Sequence, residues 1–225
     1  MRSWIPNAIT MGNLVCGCMA ILTFQEDAML SILWVITAAV LDFFDGLAAR
    51  ALGVSSALGG QLDSLADVVS FGVVPSLWAY QLLDHHPLQN FSFLIAVGAA
   101  YRLGRFNLDT SKVEHFKGLP VPANALVWVA VFGYAWEKTY RFSPVALLCF
   151  VIFTALLMAS TLPLLNLKFK GLVWKGQEIR WILILMAALT LLICQGLELS
   201  IFATTMIIAT EYIILSMFHF KKLSS

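Results

Sequence analysis

Four aspartates at helical spacing carry the chemistry of this chain. Asp42 and Asp45 are three residues apart and, with Ala49 seven residues on from Asp42, form one stripe of a helix. Asp63 and Asp67 are four apart and share one face of the next helix. The link between the two pairs contains Gly53, Gly59 and Gly60, so the segments are expected to pack as an antiparallel hairpin. Both segments are otherwise apolar, and a charge at membrane depth costs ~2.5–3.5 kcal/mol. Carboxylates at close range also repel one another. A divalent cation relieves both problems. Hard oxygen ligands suit Mg²⁺ or Mn²⁺, and Mg²⁺ prefers a few carboxylates shared with substrate phosphates. Arg50 can pair with a phosphate in bidentate fashion. The small residues Gly46, Ala49, Gly59 and Ala66 let a ligand or a second backbone approach closely. Metal, arginine and small residues together describe a diphosphate site.

The elements that must position these residues are membrane helices. The chain of 225 residues is 60% hydrophobic and 12% charged, with mean hydropathy +0.85, whereas soluble domains carry about a quarter charged residues. The apolar residues recur in segments long enough to cross ~30 Å of hydrocarbon. Eight spans are expected, near Ile9–Phe24, Ala28–Ala51, Leu58–Leu83, Phe91–Asn107, Val121–Trp136, Pro144–Leu164, Ile179–Leu197 and Ile201–Phe218. The fold class is therefore an all-α integral membrane protein, a polytopic helical bundle forming a single domain over residues 1–225. Within it, residues 1–165 form a six-helix catalytic core and 166–225 a basic loop plus a C-terminal helix pair. Short alternating barrel strands are absent, as is the basic stripe of a nucleic-acid binder. The four cysteines, Cys16, Cys18, Cys149 and Cys194, read as small buried hydrophobes. The first apolar segment lacks a cleavage pattern and is expected to remain in the mature protein.

Threading eight spans with both termini in the cytoplasm puts twelve of the fourteen Lys and Arg inside, leaving only Lys138 and Arg141 outside. The four aspartates then gather near the cytoplasmic interface. Arg102 and Arg105 close the fourth span on the same side. At i, i+3 on one helix, they suit a carboxylate or phosphate clamp, with Lys117 on the following loop as a further candidate. The positive-inside rule alone would also place basic residues there. The loop around Gly118, Pro120 and Pro122 is a candidate gate, and His115 within it reads as solvated.

The pattern D-x2-D-G-x2-A-R-x8-G-x3-D-x3-D is met at Asp42, Asp45, Gly46, Ala49, Arg50, Gly59, Asp63 and Asp67. It resembles the signature of the CDP-alcohol phosphatidyltransferase family. The resemblance implies that Asp42, Asp45 and Asp63 hold metal, with Asp67 helping to hold it or acting as general base. It implies that Gly46, Ala49, Arg50 and Gly59 line the CDP pocket and that Thr10 and Asn13 lie near the nucleotide, although a bond to a neighbouring helix would satisfy those two equally well. The stretches IPNAITMGNLVCG, QLDSLADVVSFGVVP, YRLGRFN and FKGLPVPANA resemble the phosphatidylserine synthases of bacteria and archaea.

By that resemblance the substrates are CDP-diacylglycerol and L-serine, the metal Mg²⁺ or Mn²⁺, the location the cytoplasmic membrane with the site facing the cytoplasm, and the assembly a homodimer. Serine needs a cation for its carboxylate, which Arg102, Arg105 or Lys117 would supply. Glycerol phosphate, inositol phosphate or choline are the alternative acceptors. Intramembrane aspartates also mark cation transporters, but here they are confined to one hairpin with no second copy.

Overall fold

The structure is a computed structural model that describes residues 4–54, 56–108, 116–164 and 178–224. Helix α1 spans Trp4–Thr23, and a tight turn leads to Asp27, whose carboxylate accepts the Leu30 N–H at 2.9 Å and starts α2, Ala28–Ala51. Ser56 caps α3, Ala57–Asp67, by accepting the Gly59 N–H at 2.9 Å. A π-helical turn, Val68–Val73, carries α3 into α4, Val74–Leu82, so the third expected span is one helix of 26 residues with a π turn beginning just after Asp67. Two features favour that turn. Pro75 has no N–H to return to the preceding turn, and the Ser70 hydroxyl leaves the helix to donate to the Asn13 carbonyl at 3.0 Å.

A 3₁₀ turn, Gln89–Phe93, precedes α5, Leu94–Leu108. Then come β1 (Phe116–Lys117), α6 (Val121–Lys138), α7 (Pro144–Ala159), β2 (Pro163–Leu164), α8 (Glu178–Gly196) and α9 (Ile201–Ser224). The two short strands pair antiparallel, Phe116 opposite Leu164 and Lys117 opposite Pro163. This corrects the expected sixth span, which ends at Ala159 rather than Leu164 because Pro163 cannot extend the helix and the chain turns to pair with β1. Pro122 lies in the first turn of α6, where its missing N–H costs nothing, rather than in the loop.

The helices pack around Trp78 of α4, fully buried and stacked on Phe132 of α6 with ring centroids 5.0 Å apart. Its indole N–H donates to Ser31 Oγ at 3.0 Å, and Ser31 donates to the Ala20 carbonyl at 2.9 Å, joining α4, α2 and α1. Polar side chains such as Asn13, Ser31, Ser70, Ser76 and Asn124 are buried, while Leu33, Ile36, Val40 and Phe43 of α2 and Leu185, Leu189 and Leu192 of α8 face outward. That distribution inverts the soluble pattern and is that of a membrane protein. By length and composition α1, α2 and the joined α3–α4 are able to cross a bilayer, whereas α7 and the apolar stretches of α8 and α9 are shorter. Cys16 and Cys194 are buried as expected, but Cys18 and Cys149 lie on the outer surface, and all four thiols are free.

Lys138 and Arg141 sit at one end of the bundle. There Arg141 reaches Asp84, in the α4–α5 connection, at 3.2 Å. Arg50, Arg102 and Arg105 lie toward the other end, in the last turn of α2 and the second half of α5.

Candidate active site

Contrary to the expected hairpin packing, α2 and α3 meet chiefly through α1, on which both of them pack, and three of the four aspartates reach one point between them. One carboxylate oxygen from each of Asp42, Asp63 and Asp67 lies within 4.8 Å of the others. Three hard, anionic oxygen donors converging in this way fit a divalent cation. Asp45 stands apart from that trio. One turn further along α2, its Oδ2 accepts from Thr10 Oγ1 at 2.6 Å. Asp67 is nearly fully buried, and its Oδ1 accepts from Asn13 Nδ2 at 3.2 Å. Helix α1 therefore grips one carboxylate from each of α2 and α3, through residues three apart on a single face. The Asn13 side-chain oxygen is buried and has no donor among the described residues.

Beside the carboxylates lies a cavity of about 240 Å³, whose walls include Thr10, Asp45, Gly46, Ala49, Gly59 and Asp63. A Cβ on Gly46 would meet nothing within 4 Å, so the bare glycine face is part of the open space. The N-terminus of α3, with Ser56, Gly59 and Gly60, also faces this cavity, and a helix N-terminus favours an anion. Asn7 is a wall residue that the sequence reading did not single out. The signal was present: Asn7, Thr10 and Asn13 recur every third residue in an otherwise apolar helix. Arg50 is exposed on the last turn of α2 and is not part of the cavity wall.

The basic candidates separate. Arg102 is buried, with Nη2 donating to the Gly118 carbonyl at 3.4 Å and Nε without a partner among the described residues. The Asp67 carboxylate lies within electrostatic reach of it. Arg105 instead donates to the carbonyls of Ala159 and Ser160 at 2.9 and 2.7 Å, satisfying groups that the end of α7 leaves open. Gly118 shares this junction at φ +75°, where a Cβ would stand 2.6 Å from the Met158 carbonyl, so only glycine fits. The Gly118 and Leu119 N–H groups bond the Leu162 and Leu157 carbonyls at 2.8 and 3.1 Å, pinning this end of the candidate gate to α7. The backbone of Lys117 is in β1, but its side chain lies outside the described residues, as do His115 and the rest of 109–115. Glu211 of α9 is bonded by the Thr190 hydroxyl of α8 at 2.6 Å, in line with a structural pairing.

The model of the CDP-alcohol phosphatidyltransferase family matches residues 3–165, which contain α1, α2, α3 and both arginines of α5. The chain belongs to this family. Similar proteins include the CDP-diacylglycerol–serine O-phosphatidyltransferases of Bacillus subtilis, 40% identical over 125 residues (53% of this chain, 70% of the relative), and of Helicobacter pylori, 31% identical over 212 residues (88% and 85%). The protein of the same description from Methanocaldococcus jannaschii is 36% identical over 126 residues (56% and 58%). Family membership makes the chain an enzyme, a transferase of phospholipid biosynthesis.

Proposed function

We propose that the chain transfers the phosphatidyl group of CDP-diacylglycerol to the hydroxyl of L-serine and releases CMP. The observation that carries this reading is the carboxylate trio of Asp42, Asp63 and Asp67 beside a glycine-walled cavity. The shared description of the relatives supports serine as the acceptor.

The CDP head lies in the cavity against Gly46, Ala49 and Gly59, with Thr10, Asn13 and Asn7 as its polar neighbours on α1 and Arg50 at the rim toward the diphosphate. The acyl chains remain in lipid. Asp42, Asp63 and Asp67 hold Mg²⁺ or Mn²⁺, and Asp45, aimed by Thr10, completes the set. The bound cation supplies neutralisation of the charge that develops on the diphosphate. Asp67 accepts the proton of the serine hydroxyl. The serine oxygen forms a new bond to the lipid-bearing phosphorus as the bond from that phosphorus to the CMP oxygen breaks, and CMP departs with the electron pair. Arg102 binds the serine carboxylate, and Lys117 is a second cation on the same side. Arg105, engaged with α7, contributes by holding the loop at Gly118 in place.

The same reading has eight spans, both termini in the cytoplasm, and a site facing the cytoplasm from the cell membrane. The basic residues near Arg50 and Arg102 support that orientation. The extent of the family model, ending at residue 165, supports a catalytic core followed by a C-terminal helix pair in one membrane domain. Family resemblance supports a homodimer.

The test is CMP release by purified protein from CDP-diacylglycerol with Mn²⁺ or Mg²⁺, across L-serine, glycerol phosphate, inositol phosphate and choline, with an EDTA control. Serine-dependent release abolished by EDTA is expected. Release with another alcohol and none with serine would overturn the acceptor; a folded protein inactive with all four would overturn the reaction, and cation binding and transport would be measured next.

A further inference from the structure

The joined α3–α4 helix leaves its α-helical register just past Asp67, and the break is held from both sides. In the π turn Val68–Val73 the Val74 N–H bonds the Val69 carbonyl, five residues back rather than four. The turn is lodged between α1 and α5. On the α1 side the Ser70 hydroxyl sits against Gly17, where a Cβ would collide with it and stand 3.0 Å from the Ser70 Cα. On the α5 side Gly72 faces Ala99, whose methyl would lie 3.0 Å from a Cβ at that glycine.

The break decides which way Asp67 points. Asp67 and Trp78 are eleven residues apart, about 20° in an unbroken α-helix, so both would look toward the same neighbours. A π turn takes one residue more than an α turn, which rotates α3 against α4 by about 100°. Trp78 is held on α2 and α6 by Ser31 and Phe132. Asp67 is held on α1 instead, by Asn13 at 3.2 Å.

Asn13 serves both the carboxylate and the turn. Its side chain donates to Asp67, and its carbonyl accepts the Ser70 hydroxyl at 3.0 Å. All three residues are buried, so bulk water is not at hand to replace either bond. One residue of α1 thus ties down the turn and the carboxylate that stands three residues before Ser70.

We propose that Ser70 is a positioning residue for the metal site: by tying the π turn to α1, it fixes the rotation at which α3 presents Asp67 to Asp42. This rests on the reading of the carboxylate trio as the seat of a divalent cation. Metal affinity then depends on a hydroxyl that touches neither metal nor substrate.

The experiment measures Mn²⁺ binding by electron paramagnetic resonance, and CMP release against Mn²⁺, in full-length wild type and three variants. Ser70→Ala removes the tie and adds no bulk. Its Mn²⁺ midpoint is expected to rise about tenfold in both measurements, the low end of the 10–100-fold that losing an outer partner of a metal ligand costs. At saturating Mn²⁺ its KM for CDP-diacylglycerol should equal that of wild type. Gly17→Ala, which displaces Ser70 while keeping its hydroxyl, should shift the midpoint in the same direction. Ser31→Ala is the control, since it deletes an equally buried hydroxyl that joins α4 to α2 and α1 through Trp78 and Ala20. It should lower the melting temperature and leave the Mn²⁺ midpoint at the wild-type value. A wild-type midpoint in Ser70→Ala or Gly17→Ala, or a shift in Ser31→Ala as large as theirs, overturns the assignment. A wild type that binds no Mn²⁺ and is inactive with every alcohol would instead sink the reading of the trio, so the two failures are distinct.

Discussion

Replacing Thr10 by valine removes one hydroxyl and keeps the branched shape of the side chain. That hydroxyl is 2.6 Å from Asp45 Oδ2, and the two residues are 3% and 7% exposed, so bulk water is not at hand to replace it. A hydrogen bond to a charged group is worth about 1.5–3 kcal/mol. At about 1.4 kcal/mol per tenfold, its loss would weaken whatever Asp45 helps to hold by roughly 10- to 150-fold. Thr10 Oγ1 also approaches the Pro6 carbonyl at 3.0 Å, and one proton serves both acceptors, so the lower end of that range is expected. Loss of a group that orients a metal ligand costs about 10–100-fold in affinity, which agrees. The assay is CMP release against Mn²⁺ concentration, with direct Mn²⁺ binding followed by electron paramagnetic resonance. The midpoint should rise about tenfold in both, and saturating Mn²⁺ should restore most of the rate. A Thr10→Val protein with wild-type Mn²⁺ midpoints would refute the claim that α1 aims Asp45 at a metal.

Three further outcomes follow from the same geometry. Asp67→Asn should lower kcat at saturating Mn²⁺ by about 10²–10⁴, the usual worth of a positioned general base, and raise the Mn²⁺ midpoint because it also removes one of the three converging carboxylates; near-normal turnover would remove Asp67 from proton transfer. The Cβ of Gly46→Val would meet no protein atom within 4 Å and stands at the cavity wall, so this variant should raise the KM for CDP-diacylglycerol at least several-fold with an unchanged melting temperature. A KM equal to wild type would place the nucleotide elsewhere. Arg105→Met strips the Ala159 and Ser160 carbonyls of their charged donor, at a cost of roughly 2–4 kcal/mol. A melting temperature lowered by several degrees is expected, and an unaltered one with a raised acceptor KM would return Arg105 to a substrate-binding role.

What proved legible in advance was local. The bounds of α2, Ala28–Ala51, were readable because the Asp27 cap and the apolar run are both written in consecutive residues. The spacings of three and four put the aspartates on one face of each helix, but α2 and α3 do not pack face to face as expected; α1 packs on both, and Asp42, Asp63 and Asp67 meet beside it. The end of α7 was overrun. Leu162–Leu164 continues the apolar run, but Pro163 has no N–H to return to the Ala159 carbonyl and cannot extend the helix; what the sequence did not show is the pairing of 163–164 with 116–117, far away along the chain.

The roles of the arginines diverged for the same physical reason. Arg102 and Arg105 are equivalent as a spacing on α5, yet one meets the Gly118 carbonyl beside the site and the other caps α7. Likewise Asp42 and Asp45 form a single stripe in sequence, but Thr10 draws Asp45 to the cavity wall and leaves Asp42 with the carboxylates of α3. The seat of the Phe202 ring against Gly133 of α6 has no trace in either helix alone. The sequence by itself determined the two aspartate-bearing helices, the membrane character and the family, because helical periodicity, capping and hydropathy act between near neighbours. Only the tertiary structure decided which partner each polar side chain meets, because a hydrogen bond across two helices depends on their packing, and packing is a property of the whole bundle.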